Sequence, residues 1–238
     1  VANRSNGMVL WQGQGFNAAA VVAVLTGLLR PSSNRKTGQL LQVWVLPADV
    51  SPVEAVRTGR DDAVCGGCRY RGGQGCYVNV GQAPLAVWEA WRADAYPEWD
   101  GDPGLFRGRL LRWGAYGDPA ILPIELVRTA SGAAAGHTGY THAWRTCDRR
   151  FRFWLMASVD TPRERRLALE MGWRTYRVRR PGDRLLRGEF ECPASEEQDF
   201  RLTCAECRAC GGGLWTGQAT PAILPHGPRA GRIGLPVV

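Results

Sequence analysis

Apolar positions in this chain gather into short runs rather than long amphipathic stretches. Residues 40–46 read LLQVWVL, 110–116 LLRWGAY, 151–159 FRFWLMASV and 173–178 WRTYRV. Runs this short, rich in branched and aromatic residues and bounded by turn formers, predict buried strands. Residues 77–80 add another short strand and 222–224 a last one. Helical patterns fall between them: a turn at 52–56, residues 84–93 with Leu85, Trp88 and Trp91 along one face, 123–129, and 161–171. The last carries its own start signal, with Thr161 as N-cap, Pro162 in the first turn and Glu164 completing a capping box. The apolar stretch 18–29 is expected to be a short buried helix, and at about 12 residues it is too short to cross a bilayer. Alternating strands and helices predict an α/β fold with a parallel sheet. The length favours a partial or irregular (β/α) barrel over a full one. Residues 1–238 read as a single domain with a cysteine-rich loop at 61–80 and a cysteine-rich C-terminal region at 190–238.

Cysteine placement changes the picture most. Cys204, Cys207 and Cys210 form a C-x2-C-x2-C run, with Cys192 followed by Pro193 upstream. Four thiolates so spaced can close around a tetrahedral metal or a cubane cluster, and the pattern favours an iron–sulfur cluster over zinc. Cys65, Cys68 and Cys76 form a second group in a glycine-rich C-x2-C-x7-C loop. Three ligands leave one metal position open for chemistry, unless Cys147, His137 or His142 closes the site as structural zinc. The two groups can also share one site. Seven of eight cysteines fall in these groups rather than in a dispersed disulfide framework, which points to a reducing, cytoplasmic setting.

Polar residues cluster just after the predicted strands: Cys65 to Cys76, Asp118, His142, Asp160 and Cys192. In parallel α/β proteins that edge is where sites are built. Asp118 and His142 are therefore the candidate catalytic residues, with N-capping as the structural alternative for Asp118. The segment Lys36-Thr37-Gly38 lacks the glycine-rich approach of a phosphate loop and reads as a solvated loop, with Arg35 and Lys36 as anion contacts. No nucleophile elbow or dinucleotide-binding glycine fingerprint is present. The 30 Lys+Arg against 22 Asp+Glu give a net charge of +8, and Lys36 is the sole lysine. That balance favours phosphate contacts and a nucleic-acid partner, although a GC-rich coding bias explains the arginine preference equally well.

The ordered set Lys36-Thr37-Gly38, Cys65 to Cys76, Gly117-Asp118-Pro119, Tyr140-Thr141-His142, Ser158-Val159-Asp160, Cys192-Pro193-Ala194, Cys204 to Cys210 and His226-Gly227 resembles an uncharacterised cysteine-rich family of bacteriophages and prophages. The resemblance spans residues 32–227 and implies a phage origin, a metal-bearing α/β protein and the cytoplasm of a bacterial host. More distantly, Cys65, Cys68 and Cys76 resemble the cluster loop of radical S-adenosylmethionine enzymes, here spaced C-x2-C-x7-C instead of C-x3-C-x2-C. That likeness implies a 4Fe-4S cluster, S-adenosylmethionine as a further cofactor and a radical-type or degenerate barrel enzyme. The alternative is a zinc-stabilised nucleic-acid-binding protein in phage replication or host takeover.

Overall fold

The computed structural model describes residues 5–214, 217, 219–227 and 230–232, so the expectation for 190–238 falls partly outside the described residues. In chain order the elements are β1 (Gly7–Gln14), β2 (Ala20–Thr26), β3 (Leu41–Pro47), α1 (Pro52–Thr58), α2 (Asp62–Cys65), α3 (Ala83–Arg92), β4 (Leu110–Tyr116), α4 (Ile124–Ala133), β5 (Gly136–Thr138), β6 (Tyr140–Thr141), β7 (Met156–Val159), α5 (Pro162–Glu170), β8 (Thr175–Val178), β9 (Glu189–Glu191), α6 (Cys204–Cys207) and β10 (Thr220–Ile223). The fold is α/β, with two five-stranded sheets ordered β1-β2-β3-β4-β5 and β6-β7-β8-β10-β9. In the first sheet, β1, β2 and β3 pair antiparallel, and β3, β4 and β5 pair parallel. The second is parallel throughout.

The stretch expected to be a buried helix is instead β2, paired to β1 on one side and β3 on the other. Its Val21, Val22 and Val24 are stiff at χ1 and suit a pleated surface, and a strand buried on both faces reads as a continuous apolar run. The polar, Gly-bearing lead contributes β1, which sequence pattern did not reveal. Residues 77–80 form no strand; Gly81 N–H turns back onto Asn79 Oδ1 instead. Within 151–159 only Met156–Val159 is strand, because a 3-10 turn at Arg149–Phe153, capped by Asp148, occupies the start. The capping box of α5 forms as expected, with Thr161 Oγ1 accepting from Glu164 N–H and the Glu164 carboxylate accepting from Thr161 N–H. Trp88 and Trp91 are half-buried; the buried positions of α3 are Pro84 and Val87, and Trp88 Nε1 donates to Pro47 O at 2.9 Å.

Gly139 carries the chain from the first sheet to the second. A Cβ there would stand 2.8 Å from both Leu155 Cδ2 and Trp113 Cβ. Its N–H donates to Cys210 O at 3.0 Å and its carbonyl accepts from Met156 N–H at 3.0 Å, so the sheet junction also anchors a cysteine of the C-terminal group. In the second sheet Arg177, 1% exposed, makes a paired hydrogen bond to the buried Glu189 carboxylate at 2.8 and 2.7 Å, and Arg165 Nε approaches the same carboxylate at 3.1 Å. No helix among the described residues is long and apolar enough to cross a membrane.

Candidate functional site

The loop that follows α2 is folded by a residue the sequence pattern did not single out. Asp61, 1% exposed, accepts from Gly72 N–H at 2.6 Å and from Arg71 Nη1 at 3.0 Å, closing the loop across eleven positions. Cys68 N–H donates to Cys65 O and Cys76 N–H to Tyr70 O, so the three cysteines share one set of tight turns. The loop is tied to the end of β4, since Asp118 N–H donates to Val64 O at 2.7 Å. Cys65, Cys68 and Cys76 line one chamber of about 60 Å³ together with Tyr116, Asp118, Tyr140 and His142.

Asp118 is 6% exposed, and its carboxylate is spent on backbone: Ala120 N–H at 3.0 Å, His142 N–H at 2.8 Å and Ala143 N–H at 3.3 Å. It caps the turn after β4 and fixes the turn after β6, which positions His142. The His142 ring stands edge-on to Tyr70 and Tyr140. Burial opposes its charge, but the Cys68 thiol beside it, with Asp118 and Asp160, raises the imidazole to about 9. Asp160 in turn accepts from the Tyr70 hydroxyl. Of the other two candidates for a fourth ligand, His137 is held near the Gly211 and Trp154 carbonyls and Cys147 lies half-buried against the core; neither lines this chamber.

The C-terminal cysteines assemble from separate elements. Cys192 directly follows β9, its N–H donating to Ala222 O at 2.8 Å. Cys204 and Cys207 sit on α6, which starts with a capping box of Thr203 and Glu206 and is ended by Arg208 in the left-handed region. Arg174 holds the turn around Cys210 by donating to the carbonyls of Ala209, Gly212 and Ala219 at 2.8, 3.2 and 2.8 Å. The 34–38 loop, expected to be solvated, packs onto this group. Cys204 N–H donates to Lys36 O at 2.9 Å, Thr37 is buried, and Lys36 is half-buried with its charge felt by Cys192, Cys204 and Cys210. The correction has a simple cause: α6 has four residues, and its first N–H groups need acceptors from outside.

Between the two cysteine groups runs an aromatic wall. Arg112 Nη2 donates to Tyr77 Oη at 2.9 Å, Tyr77 and Tyr140 hydroxyls lie 2.6 Å apart, Tyr140 stacks on Tyr176 at 4.8 Å, and Tyr77 stacks on His226 at 4.9 Å. A chamber of about 60 Å³ there is lined by Tyr70, Tyr77, Tyr140, His142, Tyr176 and His226. It shares Cys68, Cys76 and His142 with the cysteine chamber, and Tyr77, Tyr140, Tyr176 and His226 with a cavity of about 280 Å³ lined by Cys192, Cys204 and Cys210. Tyr116, Asp118, His142, Cys192 and His226 lie at or beyond the carboxyl ends of β4, β6, β9 and β10, whereas Arg112 and Tyr176 lie within β4 and β8. Arg112 had a legible signal, a charge set between Leu111 and Trp113 within an apolar strand. The tyrosines had none.

Burial pushes the Cys65, Cys192, Cys204 and Cys210 thiols up, and neighbouring cysteines add to this in each case, while Lys36 acts against it at Cys192 and Cys204. None of the eight cysteines is in a disulfide. Among the described residues no three His, Cys, Asp or Glu side chains stand in the arrangement of a preformed metal cage. The thiols are thus neighbours that act on one another without forming a closed ligand set.

His226 has a defined tautomer. Its Nε2 stands 3.2 Å from Lys36 Nζ, and an ammonium can only donate, so Nε2 accepts and Nδ1–H donates to Leu224 O at 3.3 Å. Burial, and after it the Lys36 charge, lowers the imidazole from the ordinary 6.5 to about 4. The folded ring refuses a proton that the unfolded chain accepts below 6.5, so this contribution to stability is complete above that pH and is lost as pH falls toward 4. Unfolding free energy is expected to drop there with a slope approaching about 1.4 kcal/mol per pH unit from this group. Urea titrations between pH 7 and 4 on the parent and His226→Gln should show a flatter profile for the variant; parallel profiles would show that folding does not lower the basicity of His226.

The chain matches no family model, no curated protein and no solved structure.

Proposed function

We propose that this chain is a metal-binding, iron–sulfur protein built on a partial (β/α) barrel, with Cys65, Cys68 and Cys76 holding one centre and Cys192, Cys204, Cys207 and Cys210 another. The observation that carries the reading is that each of the two cysteine groups lines a cavity, and that both cavities share Tyr77 and Tyr140 with a third chamber. Soft thiolate donors select iron–sulfur clusters, zinc or copper(I) over hard cations. The thiols also fit a cation on physical grounds. Burial and mutual repulsion disfavour their anionic forms, and a bound metal reverses both terms while releasing protons.

A cluster held by three thiolates would supply an open iron at the first site. There His142, beside Cys68 and oriented through its backbone by Asp118, can hold or move a proton at the chamber wall, and the aromatic wall excludes water. On this reading S-adenosylmethionine would be a co-substrate, and the protein a radical-type enzyme or a degenerate relative from a phage. The arginines do not decide the nucleic-acid reading, since among the described residues Arg30, Arg107, Arg163, Arg166 and Arg201 are exposed without a carboxylate partner while others are already engaged. Arg57, Arg60, Arg128, Arg145 and Arg150 pair with carboxylates, and Arg174, Arg177 and Arg179 are used internally.

The deciding experiment is iron, zinc and acid-labile sulfide analysis with an absorption spectrum on protein purified without oxygen. Iron with equimolar sulfide and a broad visible band is the expected result. Zinc without sulfide would turn the assignment to a zinc-stabilised protein, and salt-dependent DNA and RNA binding would then be measured. Absence of both metals would end the reading.

A further inference from the structure

Two cations on the wall of the larger cavity have no acidic partner. Among the described residues neither Lys36 nor Arg112 enters an ion pair with a carboxylate. Lys36 Nζ has His226 Nε2 at 3.2 Å, a neutral acceptor. The Arg112 guanidinium donates to neutral oxygens, Tyr77 Oη at 2.9 Å and Gln42 Oε1 at 3.4 Å, with the Tyr140 hydroxyl as a further partner. The titratable groups that weigh most on Lys36 are Cys192, Cys204, Arg112 and Cys210, none of them a carboxylate. Glu197 is felt at His226 but forms no ion pair with either cation. Partly buried charge without a counter-charge is costly, and two like charges on one cavity compound the cost. Both cations nevertheless face the same space of about 280 Å³, with Asn34, Thr37 and Thr138 adding neutral hydrogen-bonding groups around it.

We infer that this cavity binds the phosphate group of a small molecule, with Lys36 and Arg112 as its charge partners. Two fixed cations match a phosphate dianion, and the arginine fork with the lysine point charge is a combination suited to its oxygens. Tyr77, Tyr140, Tyr176 and His226 also line the larger cavity, and their rings suit an apolar or planar remainder of the same molecule. The inference does not depend on the metal reading, because the partners are Lys36 and Arg112 whatever the thiols hold. The rival use of these cations is to offset thiolate charge at Cys192, Cys204 and Cys210, and the test separates the two.

Isothermal titration of the protein as purified with inorganic phosphate is compared with chloride at equal ionic strength, for the parent, Lys36→Met and Arg112→Met, with metal content measured on every sample. Saturable binding of phosphate but not chloride is expected, weakened tenfold or more in each variant. Lys36→Arg, which keeps the charge, should retain most of the affinity and covers the case in which a methionine variant fails to fold. No phosphate binding by the parent would overturn the inference, and a fall in metal content in the variants would then assign the cations to the thiols. Undiminished binding in both methionine variants would overturn it too, by placing the anion elsewhere. Phosphate binding by protein that carries no metal would leave this site standing while the metal reading fell.

Discussion

Gly117→Ala is expected to destabilise the protein by about 4 kcal/mol, against about 1–2 kcal/mol for Gly59→Ala. Both glycines have left-handed backbone, at φ +74° and +77°, so both substitutions carry the cost of placing a Cβ in that region. Their surroundings differ. A Cβ at Gly59 would meet nothing within 4 Å, whereas at Gly117 it would stand 2.8 Å from Val45 Cβ and closer still to the Val45 carbonyl oxygen. Val45 is fully buried in β3, between β2 and β4, and cannot step aside without shifting the sheet. The next residue, Asp118, holds both the α2 end through Val64 and the His142 turn through its carboxylate, so the disturbance should reach the cysteine chamber. Urea unfolding of the two variants measures the difference. Equal losses would show that the close approach to Val45 carries no weight.

The same contrast between local and distant causes explains what could be read from the chain. β3, β4 and β8 were legible because their apolar runs are short, and α5 because Thr161, Pro162 and Glu164 signal its start within four residues. Residues 18–29 misled because an uninterrupted apolar run has no period, and only the valines at 21, 22 and 24 argued for a strand. β1 was hidden by glycine and glutamine in an edge strand that is covered on its free side, where Val9 bonds Pro97 O and Trp99 N–H bonds Val9 O. At the site, the grouping of the cysteines and the placement of Asp118 and His142 after strands were local facts. The positions of Lys36 against Cys204, of Arg112 against Tyr77 and of Tyr140 on Tyr176 arise from contacts across 35 to 168 positions, which no window of sequence contains.

Cys210→Ser is expected to remove about half of the bound metal and sulfide, and Cys147→Ser none. Cys210 is half-buried in the C-terminal group, acted on by Cys192, Cys204 and Cys207, and its backbone is held on both sides: its carbonyl accepts from Gly139 N–H, and Arg174 grips the carbonyls of Ala209 and Gly212. Serine keeps the size and these backbone bonds while replacing a soft donor with a hard one. Cys147 is half-buried against the core and lines none of the cavities that the two groups line, and it serves as the control for a lost thiol. Cys65→Ser should remove the other half, and the Cys65→Ser/Cys210→Ser pair nearly all. If the two groups share one centre, each single variant would instead strip the protein completely, so the fraction retained counts the sites. Because binding energy that belongs only to the folded state adds to stability, the variants that lose metal should also unfold at lower temperature than Cys147→Ser. Equal metal content in Cys210→Ser, Cys65→Ser and the parent would remove both groups from consideration as ligands.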